Sequence, residues 1–252
     1  TDLNIGDSDY WLVEIDPLNG DIINQKTIGS TNKDNFRQVM LSPNNTLIVV
    51  GMAQEGISGD KTETGFGYED VWVVELDLSL NVIRDKSFGG SGLESYFGGY
   101  ISYINGYYYL TSSSSSGISG NKTAPYFGSF DGFERPDYWL VKMDTDFNII
   151  WDQTYGGNID DNVGSVLLLP GNRLLLTGYS ETNINGNKTS PKYGYTDSWF
   201  LILDTAGTII AQETYGGSLN DYLGATPTIN NGVFYLSGTS ESGISGVKSV
   251  PT

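Results

Sequence analysis

Four carboxylates at one repeated spacing are the side chains of this sequence best arranged to do chemistry. Asp34, Glu94, Asp161 and Asp221 each stand four residues after the second position of a chain-breaking motif. Those motifs are Ile28-Gly29-Ser30, Phe88-Gly89-Gly90, Tyr155-Gly156-Gly157 and Tyr215-Gly216-Gly217. Gathered around one channel, four such groups could bind a cation such as Ca²⁺, whose ligands are oxygens. The same spacing suits a turn carboxylate that accepts backbone N–H bonds and recurs because its turn recurs. No aspartate cluster has EF-hand spacing.

Other chemistry is excluded by what the chain lacks. It has 0 histidines, so Ser-His-Asp triads, imidazole metal ligands and histidine acid–base catalysis are impossible. It has 0 cysteines, so disulfides, thiolate zinc sites and Cys nucleophiles are impossible too. Carboxylates, Tyr, Lys, Ser and Thr remain. A net charge of −17 repels phosphate backbones and anionic lipid, which argues against nucleic acid and membrane-surface partners. No run of about 18 apolar residues is present, so no transmembrane helix is expected. The chain begins at Thr1, without a signal peptide, and reads as a mature or excised piece.

A second group of candidates is aromatic. Phe66 and Tyr68, then Tyr126, Phe127, Phe130 and Phe133, then Tyr193 and Tyr195 lie in long polar segments. Exposed, such rings can stack on sugars or anchor a protein partner; folded back, they fill gaps between structural units. The segment Thr123 to Pro136 is the longest and most aromatic, and it also holds Asp131 and Glu134. A glycosidase would need two carboxylates about 5–10 Å apart across the scissile bond.

The elements that must position these residues are set by a repeat. Asp-x-Trp, an apolar run and a closing Asp recur at Asp9-Tyr10-Trp11 to Asp16, Asp70-Val71-Trp72 to Asp77, Asp137-Tyr138-Trp139 to Asp144 and Asp197-Ser198-Trp199 to Asp204. The Trp-to-Trp spacings are 61, 67 and 60 residues, which means one supersecondary unit copied and packed side by side. Asp at both ends of a strand is well explained by Asx-turns. The third unit reads as four strands: Ser165 to Leu169, Arg173 to Gly178, Trp199 to Leu203 and Ile209 to Thr214. The loop between its second and third strands carries Asn183-Ile184-Asn185-Gly186. Its counterparts are Gly56-Ile57-Ser58-Gly59, Gly117-Ile118-Ser119-Gly120 and Gly243-Ile244-Ser245-Gly246. Lys61, Lys122, Lys188 and Lys248 follow.

Trp139, Val141 and Met143 alternate on one strand face, and the opposite face is often apolar as well. A sheet apolar on both sides needs a neighbour on both sides. The expected fold is therefore an all-β propeller of four-stranded antiparallel blades, in one domain over residues 1–252. Its repeats run approximately 9–69, 70–136, 137–196 and 197–252; a stacked solenoid is the alternative. The chain opens on the last two strands of a unit (9–27) and closes on the first two (223–240). Either those halves pair to close a ring of four blades, or the chain is a window from a longer array.

The unit Asp137-Tyr138-Trp139-Leu140-Val141-Lys142-Met143-Asp144, followed by Asn148 to Gly157 and the Gly-Ile-Ser-Gly-Asx-Lys-Thr loop, resembles a known repeat. It is similar to the tandem propeller-like repeats of large secreted and surface proteins of Bacteroidota. Many of those are type IX secretion substrates with a C-terminal sorting domain, which is not present in this sequence. The strand before Trp151 also resembles quinoprotein repeats, but their Gly-rich docking spacing is not kept, so no quinone cofactor is implied. Kelch repeats share a Gly-Gly but have a shorter period.

These observations lead to two functional expectations. One is a non-enzymatic extracellular or cell-surface module that binds protein or glycan on its long-loop face, with the secretion machinery as a further partner implied by the resemblance. It requires no cofactor, Ca²⁺ at the four repeated carboxylates being the exception. The other is a glycan-binding or glycan-hydrolysing domain using the same face. The expected ligand face comprises Tyr126, Phe127, Phe130 and Phe133 with Asp34, Glu94, Asp161 and Asp221.

Overall fold

Alternating Val, Ile, Leu, Tyr and Trp, cut by Asn-Gly and Asp-led turns, gives a chain with strands and no helix among the described residues. The computed structural model describes residues 5–54, 56–94, 98–129, 134–222 and 227–251. A two-stranded antiparallel ladder comes first, β1 (Tyr10–Ile15) and β2 (Ile22–Ile28). Three four-stranded antiparallel sheets follow. The first holds β3 (Asp34–Leu41), β4 (Leu47–Gln54), β5 (Glu69–Leu76) and β6 (Val82–Phe88). The second holds β7 (Gly98–Ile104), β8 (Tyr107–Ser114), β9 (Asp137–Met143) and β10 (Ile149–Tyr155). The third holds β11 (Asp161–Leu169), β12 (Arg173–Ser180), β13 (Asp197–Leu203) and β14 (Ile209–Tyr215). The chain then forms two short ladders, β15 (Asp221–Tyr222) with β18 (Thr239–Ser240) and β16 (Thr228–Asn230) with β17 (Val233–Tyr235).

Each full sheet is a meander in sequence order. The tight links use residues that tolerate positive φ: Asn105 (51°) with Gly106 (90°), and Gly171 (78°) with Asn172 (59°). The Asp-led turns form as expected, Asp144 Oδ1 accepting from Asp146 N and Asn148 N at 2.9 Å each. Asp77 and Asp204 do the same in their own units.

Apolar cores lie between successive sheets. Ile48, Val50, Val71, Val73 and Phe88 of the first sheet pack on Leu110, Trp139 and Val141 of the second. Tyr138, Leu140 and Tyr155 of the second pack on Leu174, Leu176, Trp199 and Leu201 of the third. Tyr10 and Ile28 meet Trp72 and Val74 across the junction before the first sheet. The Trp strands β5, β9 and β13 are therefore buried on both faces, as their two-sided apolar pattern requires.

Ring closure by the two half-units, one of the two alternatives open from sequence, is not found. Among the described residues no ladder joins β1 or β2 to any strand of 227–240. The last two strands of the fourth unit are missing, so its β16 and β17 have no third strand to complete a sheet. They remain a short, largely exposed hairpin.

The closest approach in the fold is at the breaker glycines. A methyl group built on Gly156 would overlap Asp137 Oδ1 and lie 2.8 Å from Asp161 Oδ2. On Gly89 it would overlap Asp70 Oδ1 and lie 2.6 Å from Glu94 Oε2. Gly117, with nothing within 4 Å, is the internal control. Gly156→Ala is expected to lower unfolding free energy by about 2–4 kcal/mol, and Gly117→Ala to change it by less than about 0.5 kcal/mol. Urea denaturation of the two variants checks this.

Candidate functional site

The four repeated carboxylates come to lie at the junctions between units, each paired with the leading Asp of a Trp strand. The backbone sets this pairing. Asp34 N donates to Ser8 O (2.7 Å), Glu94 N to Glu69 O (3.1 Å), Asp161 N to Pro136 O (2.7 Å) and Asp221 N to Thr196 O (2.8 Å). Each accepting residue immediately precedes Asp9, Asp70, Asp137 or Asp197, so two carboxyl groups are brought side by side against one glycine.

The members of each pair have different backbone partners. Asp70 Oδ2 accepts from Phe66 N (2.6 Å) and Gly67 N (3.3 Å), and Asp137 Oδ2 from Phe127 N (2.7 Å) and Gly128 N (3.2 Å). Asp161 Oδ2 accepts from Gly157 N (2.8 Å) and Thr182 Oγ1 (2.9 Å). Glu94 accepts from Gly90 N (3.2 Å) and Ser114 Oγ (2.8 Å), and Asp34 from Ser30 N (2.6 Å). These are the bonds of turn carboxylates. The opposite oxygens, Asp70 Oδ1, Asp137 Oδ1 and Asp161 Oδ1, are buried without a partner.

Two ionised carboxylates cannot share so small a dry space. Burial, with Asp70 beside it, pushes Glu94 up to about 7. Burial pushes Asp161 up to about 7 despite its hydroxyl and N–H donors. Asp137 is raised well above its usual range by burial and by Asp161. Asp221 goes the other way, because the Ser240 and Ser242 hydroxyls and the Gly217 N–H outweigh burial. The four carboxylates sit in separate junctions, and among the described residues no three acidic groups converge to hold a metal ion.

The long loops are clamped from below by the conserved order Asx-Lys-Thr within this chain. Asn121 Oδ1 accepts from Gly89 N (3.0 Å) while its Nδ2 donates to Ser87 O (2.8 Å), tying the second unit to the first. Lys122 is buried, with Nζ donating to Ala124 O (2.8 Å) and Thr154 Oγ1 (3.0 Å) and lying 6.0 Å from the Trp139 ring centre. Thr123 N and Oγ1 bond Asp152, which also accepts from Trp139 Nε1 (2.9 Å). Asn187 and Lys188 repeat the arrangement around Trp199. Burial pulls Lys122 and Lys188 down to about 8.

Of the expected ligand face, Tyr126 is half-buried and donates to Arg135 O (2.8 Å), and Phe127 is half-buried beside Asp137. Phe130, Phe133 and Asp131 lie outside the described residues. Glu134 accepts from Ser115 Oγ at 3.2 Å. Asp34, Glu94, Asp161 and Asp221 are buried. No protein-family model matches this chain. No curated protein matches it either.

One feature of the loops escaped sequence reasoning. Ile57, Ile118, Ile184 and Ile244 are 65, 71, 62 and 68 % exposed, one per unit at the same position. Their signal was a lone β-branched apolar residue between small polar ones, repeated four times. Tyr68 and Tyr195 are exposed in the same loops.

The raised carboxyls set a pH dependence. Folded values near 7 against unfolded values near 4 mean that the folded chain holds protons that the unfolded chain releases. This stabilisation is complete below about pH 4 and is lost as pH rises through about 7. The depressed lysines Lys122 and Lys188, facing the same junctions, give the opposite slope between about pH 8 and 10. The melting temperature is expected to fall by several degrees from pH 5 to pH 7.5. Asp161→Asn should flatten part of that fall, as read by calorimetry across pH.

Proposed function

We propose that this chain is a non-catalytic, propeller-like binding module displayed outside the cell, of the kind carried by type IX secretion substrates of Bacteroidota. The repeated units, with apolar cores between successive sheets and first strands β3, β7 and β11 as neighbours, support radial stacking. The observation that carries the non-catalytic reading is the placement of the acidic groups. The perturbed carboxyls recur at junction after junction, buried, with a glycine against them. A glycosidase needs two carboxyls flanking a bond that substrate can reach, and catalysis breaks symmetry at one place.

The binding reading rests on the row of exposed isoleucines on clamped loops. Rigid loops presenting apolar side chains at regular intervals suit a protein partner with a matching apolar strip. Glycan recognition is the second reading, favoured by the exposed rings of Tyr68 and Tyr195, whose faces can stack on sugars. Neither reading uses a cofactor.

A panel of immobilised fibronectin, collagen, mucin and plant and microbial polysaccharides tests both, together with aryl-glycoside hydrolysis. The expected result is protein binding weakened at least roughly tenfold by the combined change Ile57→Asp, Ile118→Asp and Ile184→Asp, with an unchanged melting temperature. Binding of polysaccharide alone, lost on Tyr68→Ala and Tyr195→Ala, would favour the second reading. Glycoside turnover would overturn the non-catalytic one.

A further inference from the structure

The fourth unit contains a socket, and the start of the chain contains the part that fits it. In the complete units the Trp strand pairs with the second strand at a fixed register. Trp72 lies opposite Gly51, Trp139 opposite Ser112 and Trp199 opposite Gly178. The leading Asp lies opposite Ala53, Ser114 or Ser180. The loop lysine sits against the same ring, Lys122 at Trp139 and Lys188 at Trp199. In the fourth unit Gly238, Ser240 and Lys248 hold the matching places. With Ser198 and Asp221 they line a cavity of about 210 Å³, with no third strand beside it among the described residues. The second strand that would pair there is open: Val233 and Tyr235 are exposed, whereas Leu174 and Leu175 of β12 are fully buried.

At the other end, β1 is a Trp strand without a second strand to pair with. It keeps the unit's own bonds. Trp11 Nε1 donates to Gln25 Oε1 (3.2 Å), as Trp199 Nε1 donates to Gln212 Oε1 (3.2 Å). Yet Trp11 is 66 % exposed, while Trp72, Trp139 and Trp199 are fully buried. One edge of β1 bonds β2, and the other presents unpaired N–H and C=O groups, a template for strand addition.

We infer that the socket of the fourth unit binds the β1–β2 hairpin of a second copy of this chain, so that copies join head to tail. The occupant follows from continuity. The junction so formed is the unit-to-unit junction that the chain already makes in sequence, continued by one more step. Trp11 of the second copy meets Gly238 and Lys248, and Asp9 meets Ser240. The hairpin already carries Tyr10 and Ile28 on its far face, packed on its own first sheet, so docking leaves that core intact. The interface is heterologous, and it closes into a ring or extends into a filament according to the rotation per unit. Because each copy carries −17 charge, salt strengthens the contact by screening repulsion.

Light scattering after size exclusion, across a wide concentration range in high salt, tests this together with tryptophan emission. The expected result is a mass above one chain that grows with concentration, and emission that shifts to the blue as Trp11 is buried. Trp11→Ala removes an exposed side chain and is expected to weaken association roughly thirtyfold without altering thermal unfolding. Gly238→Leu fills the socket and should do the same from the other side. The decisive arm mixes the two variants. Each alone stays monomeric, and together they form one dimer and nothing larger, since one retains the socket and the other the hairpin. A monomer at all concentrations overturns the proposal. So does a monomer whose Trp11 emission is already blue, which is closure on its own chain. Association that survives both variants places the contact elsewhere and overturns it too.

Discussion

Everything in this fold depends on two carboxyl groups meeting over one glycine. At each junction the leading Asp of a Trp strand and the first carboxylate of the next unit are locked together by a backbone bond between their neighbours, such as Asp161 N to Pro136 O. Glycine is required because any side chain would occupy the carboxyl oxygens. The breaker, the framing Asp and the following carboxylate are therefore one device, spread over about 30 residues of sequence. The cost is desolvation of acidic groups, offset by backbone N–H donors on one oxygen and a retained proton on the pair. The junction is consequently sensitive to protonation, in a chain otherwise rich in solvated carboxylates.

A second device secures the loops above the junctions. Lys122 and Lys188 are buried ammonium groups spent on carbonyls and hydroxyls, and each lies against a buried indole. The adjacent Asn and Thr bind neighbouring strands, so a loop of small polar residues is held as firmly as a strand. This places an isoleucine outward at a constant position in each unit. The amides of Asn121 and Asn187 are fully used in this way, which leaves Asn44, exposed in its turn, as the open Asn-x-Thr triplet.

The two ends of the array differ from its middle because each sheet needs what its neighbour supplies. The interior sheets bury both faces and all their Trp side chains, while Trp11 and the β16–β17 hairpin do not. The same side chains, in the same local sequence, are buried or exposed according to whether the next strand is present.

Much of this was legible in the sequence. The period near 60 residues, the four strands of each unit, the Asn-Gly and Asp-led turns and the two-sided apolar Trp strand follow from local propensity and alternation, which act within a few residues. The spacing of Asp34, Glu94, Asp161 and Asp221 from the glycines was legible too, along with the reading that they are turn carboxylates. What it could not show is that each lies against Asp9, Asp70, Asp137 or Asp197, since those partners are 24 to 25 residues away and meet only across a junction. Nor could it tell that Lys122 would be buried and Ile118 exposed, against the ordinary preference of both side chains. That inversion comes from the loop crossing the end of a sheet, where a cation finds carbonyls beneath it and the apolar side chain finds only solvent. Local chemistry determined the unit; contact between units decided which of its groups are sealed, which are charged and which face outward.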